Sequence, residues 1–368
     1  MMTPRPASSS LRILVVANLY PSAAHPAFGT FVGGRVVALR AAGHRVDVAA
    51  ITDDRAHLGV ARKYFRLAAR AGWAALRSRL RRRRYDVVEA HIAFPTGLVA
   101  WPAARIAGSP LALFVHGSDV TVLPWSSPRR ERAARWLFAR ADLVIANSRF
   151  TADIVERHLG PLRRPVVVVS PGIELPTAAP DAASDTRSAD HIAFVGRLAP
   201  GKGAEVLIDA VERIVAEGAS ARLTIVGDGE LRPALEARAA RLGTAVRFAG
   251  PLSPAAVADL LRDATVVAVP STRAEGLGLV ALEAMAAGAL VVGTAAGGQA
   301  ETLRDGQNGI VVPTDDAAAL AAALRHALTI AQTDAGDRLR AEGRSTAAAH
   351  DRVTAVRATV GAFRDLAG

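Results

Sequence analysis

The chain has 368 residues, no cysteine and a formal net charge of +11. That length exceeds the roughly 250–300 residues at which one core stops growing, so two domains are expected. The lack of cysteine excludes a disulfide scaffold and a thiolate metal site, and it fits a reducing compartment. The charge is lopsided. Residues 1–175 hold 26 Lys and Arg against 11 Asp and Glu, a net of +15, and the rest hold 19 against 23, a net of −4. An anionic partner is therefore expected at the first half.

In chain order, "RILVVAN" is apolar, β-branched and ends in a turn, which reads as a first buried strand rather than a signal peptide. "RVDVAAI", "YDVVEAH", "PLALFVHG", "LVIANS" and "VVVVSPG" continue the series in the first half. "HIAFVGR", "ARLTIVGDG", "AVRFAG", "TVVAVPS", "LVVGTAA" and "NGIVVP" repeat it in the second. Continuous apolar strands with helical patterns between them predict parallel sheets covered on both faces, one in each half.

Between the first strands, Arg62 to Asp86 reads as a helix. Phe65, Trp73, Leu76 and Leu80 recur on one face, and arginines crowd the remainder and the C-terminal end. Two readings are open. The apolar face packs into the domain, or the segment from Arg62 to Arg84 docks on an anionic membrane surface. "IELPTAAPDAASDTRSAD", Ile173 to Asp190, lacks periodicity and reads as a linker. The last segment, Asp351 to Leu366, places Val353, Val356, Val360 and Phe363 on one helical face. No segment has the ~20 uninterrupted apolar residues of a membrane span; the run from Leu279 to Gly297 is broken by Glu283 and by glycines.

The chemistry is expected at strand ends, where open parallel sheets bind ligands. "FVGRLAPGKG" puts Arg197 and Lys202 on a glycine-flanked loop, a spacing that suits either a diphosphate or a solvated surface. "VGDGELRPALEARA" carries Gly227 and Gly229 before a helix, an anion cradle or ordinary turn punctuation. "STRAEGLGLVALEAMAAGALVV", Ser271 to Val292, is more specific. A strand precedes a glycine loop with Glu275, and a helix with Glu283 follows. The N–H groups of Gly278, Leu279 and Val280 would face the strand ends. Eight residues of helix span about 12 Å, and a loop start makes the separation less. That is the span between the two sugars of a nucleoside diphosphate sugar. One carboxylate would hold donor-sugar hydroxyls and the other the ribose diol, with the diphosphate between them. The competing reading is two capping or surface glutamates, since an acid near a helix start is favoured anyway. His116 in "VHGSDV" and His91 in "EAHIAFPTG" also stand at strand ends, and His91 reads equally as a packing residue or an acceptor contact.

"PSTRAEGLGLVALEAMAAGALVV" followed by "GGQAE" resembles the signature of the family 4 retaining glycosyltransferases of the GT-B architecture, of the bacterial polysaccharide or glycolipid type. "VGRLAPGKG", "IVGDGEL" and "VRFAGPLS" resemble that family's other donor-domain blocks, and "LYPSAAHPAFGTFV", "VHGSDV" and "LVIANS" its acceptor-domain blocks. The resemblance implies an α/β fold of two Rossmann-like doubly wound domains facing a cleft. Residues 1–175 would bind the acceptor and residues 176–345 the nucleotide-sugar donor, and residues 346–368 would form a helix packing back on the first domain. It also implies roles. Glu275 would bind the transferred sugar and Glu283 the ribose, and Arg197 and Lys202 would neutralise the diphosphate. The backbone near Leu252 would meet the base. Gly29 would let the first domain close on the phosphates, and His116 would contact the donor sugar near the reacting centre. This chain departs from the family at Leu277, usually Phe, and at Leu290, usually Pro.

The activity implied is retaining, hexosyltransferase-type transfer from a nucleoside diphosphate sugar to a glycan or lipid-linked acceptor in cell-envelope or exopolysaccharide biosynthesis. It would be cytoplasmic and peripheral on the inner face of the cytoplasmic membrane. No D-x-D occurs in the chain. Arg197, Lys202 and a helix N-terminus would supply the positive field instead, so no metal or other cofactor is expected. Competing readings are another GT-B enzyme, a sugar phosphorylase or nucleotide-sugar epimerase, and a basic nucleic-acid-binding protein on the strength of "RSRLRRRR". No nucleic-acid module accompanies that charge, so no nucleic acid is expected as partner. A dehydrogenase needs G-x-G-x-x-G after a strand, and "VGDGELRP" stops short of it.

Overall fold

The computed structural model describes residues 10–53, 59–176 and 187–366. The apolar runs form strands β1 (Arg12–Ala17), β2 (Arg45–Ala50), β3 (Val87–His91), β4 (Leu111–Val115), β5 (Leu143–Ala146) and β6 (Val167–Val168) in the first half. The second half holds β7 (His191–Val195), β8 (Arg222–Val226), β9 (Val246–Gly250), β10 (Val266–Val269), β11 (Leu290–Gly293) and β12 (Ile310–Val311). They make two sheets of six parallel strands, ordered β2-β1-β3-β4-β5-β6 and β12-β11-β10-β7-β8-β9. The direction of winding reverses between β1 and β3 in one sheet and between β7 and β10 in the other. Such reversals open a crevice at the strands' carboxyl ends.

Helices α1 (Thr30–Ala41), α2 (Val60–Leu80), α3 (Ala93–Ala107), α4 (Ser118–Thr121), α5 (Pro128–Phe138) and α6 (Arg149–His158) accompany the first sheet. The second has α7 (Ala204–Ala216), α8 (Arg232–Ala239), α9 (Pro254–Asp263), α10 (Leu279–Ala286), α11 (Ala317–Ile330) and α12 (Asp334–Ala349). The last helix is α13 (Arg352–Arg364). Strand alternation splits each core in two. Leu14 and Val16 face the layer with α2 and α3, whereas Ile13 and Val15 face α1 and α13.

The chain forms two compact units. One runs to Gly172 and resumes at Arg352, and the other spans Ile173–Asp351. Two expectations need correction here. The return to the first unit begins at Arg352, not residue 346. Ala347 of α12 belongs to the second unit's core, and the His350 carbonyl accepts from Ile173 N at 2.9 Å. On α13 the buried face is Ala355, Val356, Thr359, Val360 and Phe363, and Val353, in the first turn at the edge of that arc, is 61% exposed. Of the expected linker, residues 177–186 lie outside the described residues, and Ile173 is buried in the second unit's core.

Helix α2 buries the side opposite to the one its large apolar residues mark. Leu67, Ala71, Ala75 and Ser78 form the buried line, and the apolar three pack with Ala100, Ala103 and Ala104 of α3. Phe65, Trp73, Leu76 and Leu80 are 74%, 64%, 41% and 72% exposed. At 3.6 residues per turn these four fall within an arc of about 80°, roughly half a turn from the buried line. Arg66, Arg70 and Arg77 flank that stripe, Arg81 to Arg84 follow it, and all seven are exposed. The reading in which this apolar face packs into the domain is therefore overturned.

Candidate active site

In the second unit the loops after β7 and β10, the two strands at the winding reversal, are tied together by their backbones. Gly201 O accepts from Thr272 N at 3.0 Å and Arg273 N at 3.4 Å. Gly203 caps α7 with φ +75°, and a Cβ there would lie 1.9 Å from Pro270 O. Only glycine allows that approach. Its consequence is chemical: Lys202 Nζ lies 2.6 Å from Glu275 Oε1, which also accepts from Ser271 Oγ at 2.7 Å.

The Glu275 loop is braced from behind by the segment that follows β11. Glu275 N donates to Ala296 O at 3.0 Å and Glu275 O accepts from Gly298 N at 2.9 Å. Gln299 Nε2 donates to Val269 O at 3.1 Å and to Thr294 O at 2.6 Å, and Thr302 Oγ1 donates to Leu277 O at 3.1 Å. The sequence "GGQAE" is thus the support of the carboxylate loop, and the buried Leu277 joins the core beneath it.

Gly278 caps α10 with φ +85° and no side chain caps the helix. The N–H groups of Leu279 and Val280 therefore head the helix beside Glu275, and the macrodipole adds partial positive charge there. Glu283 sits about one turn into α10, half-buried between the buried Leu282 and Ala284. Arg197 is exposed on the loop after β7. That loop is fixed by Leu198 N donating to Asp228 O and Leu231 N donating to Leu198 O, both at 2.9 Å. Of the two readings of "VGDGEL", anion cradle or ordinary turn, the contacts favour the turn, since α8 starts only at Arg232 and the glycine segment is tied to the Arg197 loop. Leu252 follows β9 half-buried, against the same core as Leu279 and Val280.

The first unit carries Gly29 at the far end of the loop after β1, and His116 directly after β4. Gly29 caps α1 with φ +75°, and a Cβ would meet the Leu19 backbone at 2.7 Å. Phe31, in the first turn of that helix, packs its ring 4.7 Å from the His116 ring. Asp119, which the sequence reading did not single out, ties the end of β4 to the start of α3. Its buried carboxylate accepts from Gly117 N at 2.7 Å, Ala93 N at 2.8 Å and His116 N at 3.1 Å. Burial raises this carboxyl to about 6 against the pull of those N–H groups. Asn147 Nδ2 donates to His116 O at 2.8 Å. Asp119→Asn would turn an amide N–H₂ toward a backbone donor. Stranding one such group costs about 1–3 kcal/mol. A melting temperature equal to that of the parent protein would refute this role.

His91 Nδ1 lies 3.0 Å from His116 Nε2, and His91 is wholly buried, which leaves the packing reading and removes the acceptor contact. Burial first, and then the nearby Arg35 charge, push His116 well below the ordinary histidine range, so the ring is neutral near pH 7. The ion pair of Arg35 and Glu89 beneath it was also missed. Its one signal was a glutamate inside an otherwise apolar strand, "VVEAH". Among the described residues, no three His, Asp or Glu side chains gather as a metal site would require.

Residues 30–176 match the model of Glycosyltransferase Family 4, and residues 189–329 that of Glycosyl transferases group 1. The chain is 35% identical over 272 residues to a D-inositol 3-phosphate glycosyltransferase of Streptomyces avermitilis, an alignment covering 66% of this chain and 57% of that protein. A namesake from Rhodococcus opacus is 32% identical over 251 residues, covering 62% and 56%. The chain thus spans somewhat more than half the length of these curated relatives. In fold it is similar to Anabaena HepE, solved with UDP and glucose (TM-score 0.73, 22% identity, 96% of this chain and 98% of that one). Sucrose-phosphate synthase from Thermosynechococcus elongatus is similar too (TM-score 0.74, 21% identity, 96% and 98%). Two doubly wound sheets, matched in chain order by two glycosyltransferase models, leave one assignment: the chain belongs to the family 4 glycosyltransferases of the GT-B fold.

Proposed function

We propose that this chain transfers a sugar, with retention of configuration, from a nucleoside diphosphate sugar to a hydroxyl acceptor. The observation that carries this is the contact of Lys202 with Glu275 beside the uncapped N-terminus of α10, at the winding reversal of the second sheet. Cation, helix terminus and carboxylate meet there, as a diphosphate joined to a sugar requires. Lys202, Arg197 and the N–H groups of Gly278, Leu279 and Val280 hold the diphosphate. Glu275 takes hydroxyls of the transferred sugar, Glu283 the ribose, and the backbone at Leu252 the base. Gly29 lets a phosphate approach the first unit's backbone, and His116 contacts the sugar. As the bond from C1 to the leaving phosphate oxygen breaks, the acceptor oxygen bonds C1 on the same face and its proton passes to that phosphate. The protein positions the reactants and stabilises charge.

HepE, solved with UDP-glucose, supports a uridine diphosphate sugar as the first donor to try. A panel of nucleoside diphosphate sugars, scored by thermal stabilisation and then by hydrolysis, tests the reading. No stabilisation by any of them would sink it. Turnover is expected to be unchanged by EDTA, since fixed cations supply the field, and its full loss would refute metal independence. Inorganic phosphate cleaving a glycan, or epimer formation without acceptor, would favour a phosphorylase or an epimerase.

For the acceptor we infer a lipid-linked glycan of cell-envelope or exopolysaccharide synthesis, reached from the inner face of the cytoplasmic membrane. The support is α2, whose exposed Phe65, Trp73, Leu76 and Leu80 lie beside seven exposed arginines. Each basic residue near an anionic surface contributes about 1 kcal/mol. No helix among the described residues is long and apolar enough to cross a membrane. Sedimentation with vesicles should show binding that needs anionic lipid, weakens as salt rises and drops when Arg81 to Arg84 become Ser. Equal binding to neutral vesicles, or none to either, would favour a soluble acceptor. A phosphorylated polyol is then the reading to take up, since the curated relatives are named for inositol 3-phosphate.

A further inference from the structure

Beneath His116 runs a buried chain of charge that the donor chemistry above does not use. Arg35 on α1 is 1% exposed and Glu89 and His91 on β3 are 0% exposed. Arg35 Nε donates to Glu89 Oε1 at 3.0 Å, with Nη2 2.7 Å from the same oxygen. Arg35 Nη1 donates to Thr359 Oγ1 of α13 at 3.2 Å, so the returning helix helps to seat the guanidinium. His91 Nε2 lies 3.4 Å from Glu89 Oε1, and His91 Nδ1 lies 3.0 Å from His116 Nε2. Phe114 stacks on both imidazoles, with centroids 5.2 and 4.9 Å away, and keeps their planes close to parallel.

A neutral imidazole carries one N–H and one bare nitrogen. Burial alone would raise the Glu89 carboxyl, but the Arg35 guanidinium and the His91 ring outweigh it and hold it at about 2. Glu89 is therefore an ionised, accept-only neighbour. If the bare nitrogen of His91 were Nε2, a lone pair would face a carboxylate in a dry interior, which is repulsive. The proton of His91 therefore belongs on Nε2. Its Nδ1 is then bare and accepts, so the proton between the two rings belongs to His116 Nε2. One carboxylate sets two tautomers in series.

Resting on the glycosyltransfer reading, we propose that Arg35, Glu89 and His91 are positioning residues that hold His116 with its proton on Nε2 and present its Nδ1 as a bare hydrogen-bond acceptor to a hydroxyl of the transferred sugar. The sugar gains positive charge as its C1–O bond breaks. A lone pair aimed at it through a hydroxyl proton favours that state, and an N–H dipole in the same place opposes it. The device uses no charge on His116 itself.

The test reads the tautomers directly, by long-range ¹H–¹⁵N correlation on protein labelled at its 9 histidines, without any donor present. The expected result at neutral pH is an unprotonated-type shift at Nδ1 and a protonated-type shift at Nε2 for both His91 and His116. A proton on His116 Nδ1 would overturn the proposal. In the double variant Arg35→Met, Glu89→Leu the buried acceptor is gone and no charge is stranded. His91 should then move its proton to Nδ1 and His116 should follow, and retention of the parent tautomers would show that Glu89 does not set them. Turnover of the variant should fall about tenfold, the scale of one lost hydrogen bond, with nucleoside diphosphate affinity unchanged. Parent turnover in a variant whose tautomers have flipped would also overturn it. Should the parent protein hydrolyse no nucleotide sugar, glycosyltransfer itself fails and the hydroxyl contact with it, a result the donor-free spectra do not depend on.

Discussion

Glu275→Gln should lower turnover by about 10²–10³-fold, the scale of removing one preorganised group from a transition state, while the affinity for free nucleoside diphosphate holds or rises. The reason for the split is the ion pair in the ligand-free protein. Lys202 Nζ is held by Glu275 Oε1 at 2.6 Å, with the two side chains 32% and 21% exposed. An incoming diphosphate competes with that carboxylate for the ammonium. With glutamine in place, Lys202 is released to the phosphates, and the sugar loses its charged partner. Lys202→Met should act in the opposite sense and more strongly than loss of one cation, because it also leaves the Glu275 charge facing the diphosphate with the Ser271 hydroxyl still donating to it but no cation on it among the described residues. A charged hydrogen bond contributes about 1.5–3 kcal/mol, less where solvent screens it. Adding Glu275→Gln to Lys202→Met should restore part of the lost affinity. Calorimetric titration with nucleoside diphosphate and a turnover assay measure both arms. Parent turnover in Glu275→Gln would dismiss the sugar role, and strict additivity in the double variant would dismiss the competition.

The elements legible in the sequence are those whose signal is local. "LVIANS" and "TVVAVPS" are apolar throughout because a strand covered on both faces has no polar side, and they are β5 and β10. The glycine loop with Glu275 was legible for the same reason, since strand, glycine and helix cap are contiguous. Helix α2 shows where locality misleads. Its large apolar residues carry the visible periodicity, yet Leu67, Ala71, Ala75 and Ser78 are what it buries. Small side chains let α2 lie close to the equally small Ala100, Ala103 and Ala104 of α3, and alanine adds almost nothing to a hydrophobic pattern. Glu89 was illegible as a partner because Arg35 and Thr359 come from positions 54 residues before it and 270 after it. A lone acid in "VVEAH" signals that something must neutralise it, not which residue does.

That long-range pair leads to the second large effect. Glu89→Ala should destabilise the first unit by about 3–5 kcal/mol, because it strands a guanidinium in a dry interior. Arg35→Met with Glu89→Leu should come close to the parent, since no charge is left unpaired. All four tryptophans, Trp73, Trp101, Trp125 and Trp136, lie in the first unit, so their fluorescence during urea unfolding reports on that unit alone. The pH dependence has a definite sign. Glu89 titrates at about 2 in the fold against an ordinary value of 4.5, so the folded state holds this proton less tightly than the unfolded chain does. Its contribution is fully present above about pH 4.5 and is lost as pH falls toward 2. The parent should therefore lose stability steeply between pH 4.5 and 3, and the double variant, which has no such group, should lose less over the same interval. Equal losses in the two proteins would mean that Glu89 is not held ionised by Arg35. A Glu89→Ala midpoint within error of the parent would mean that the buried pair does not hold the unit together.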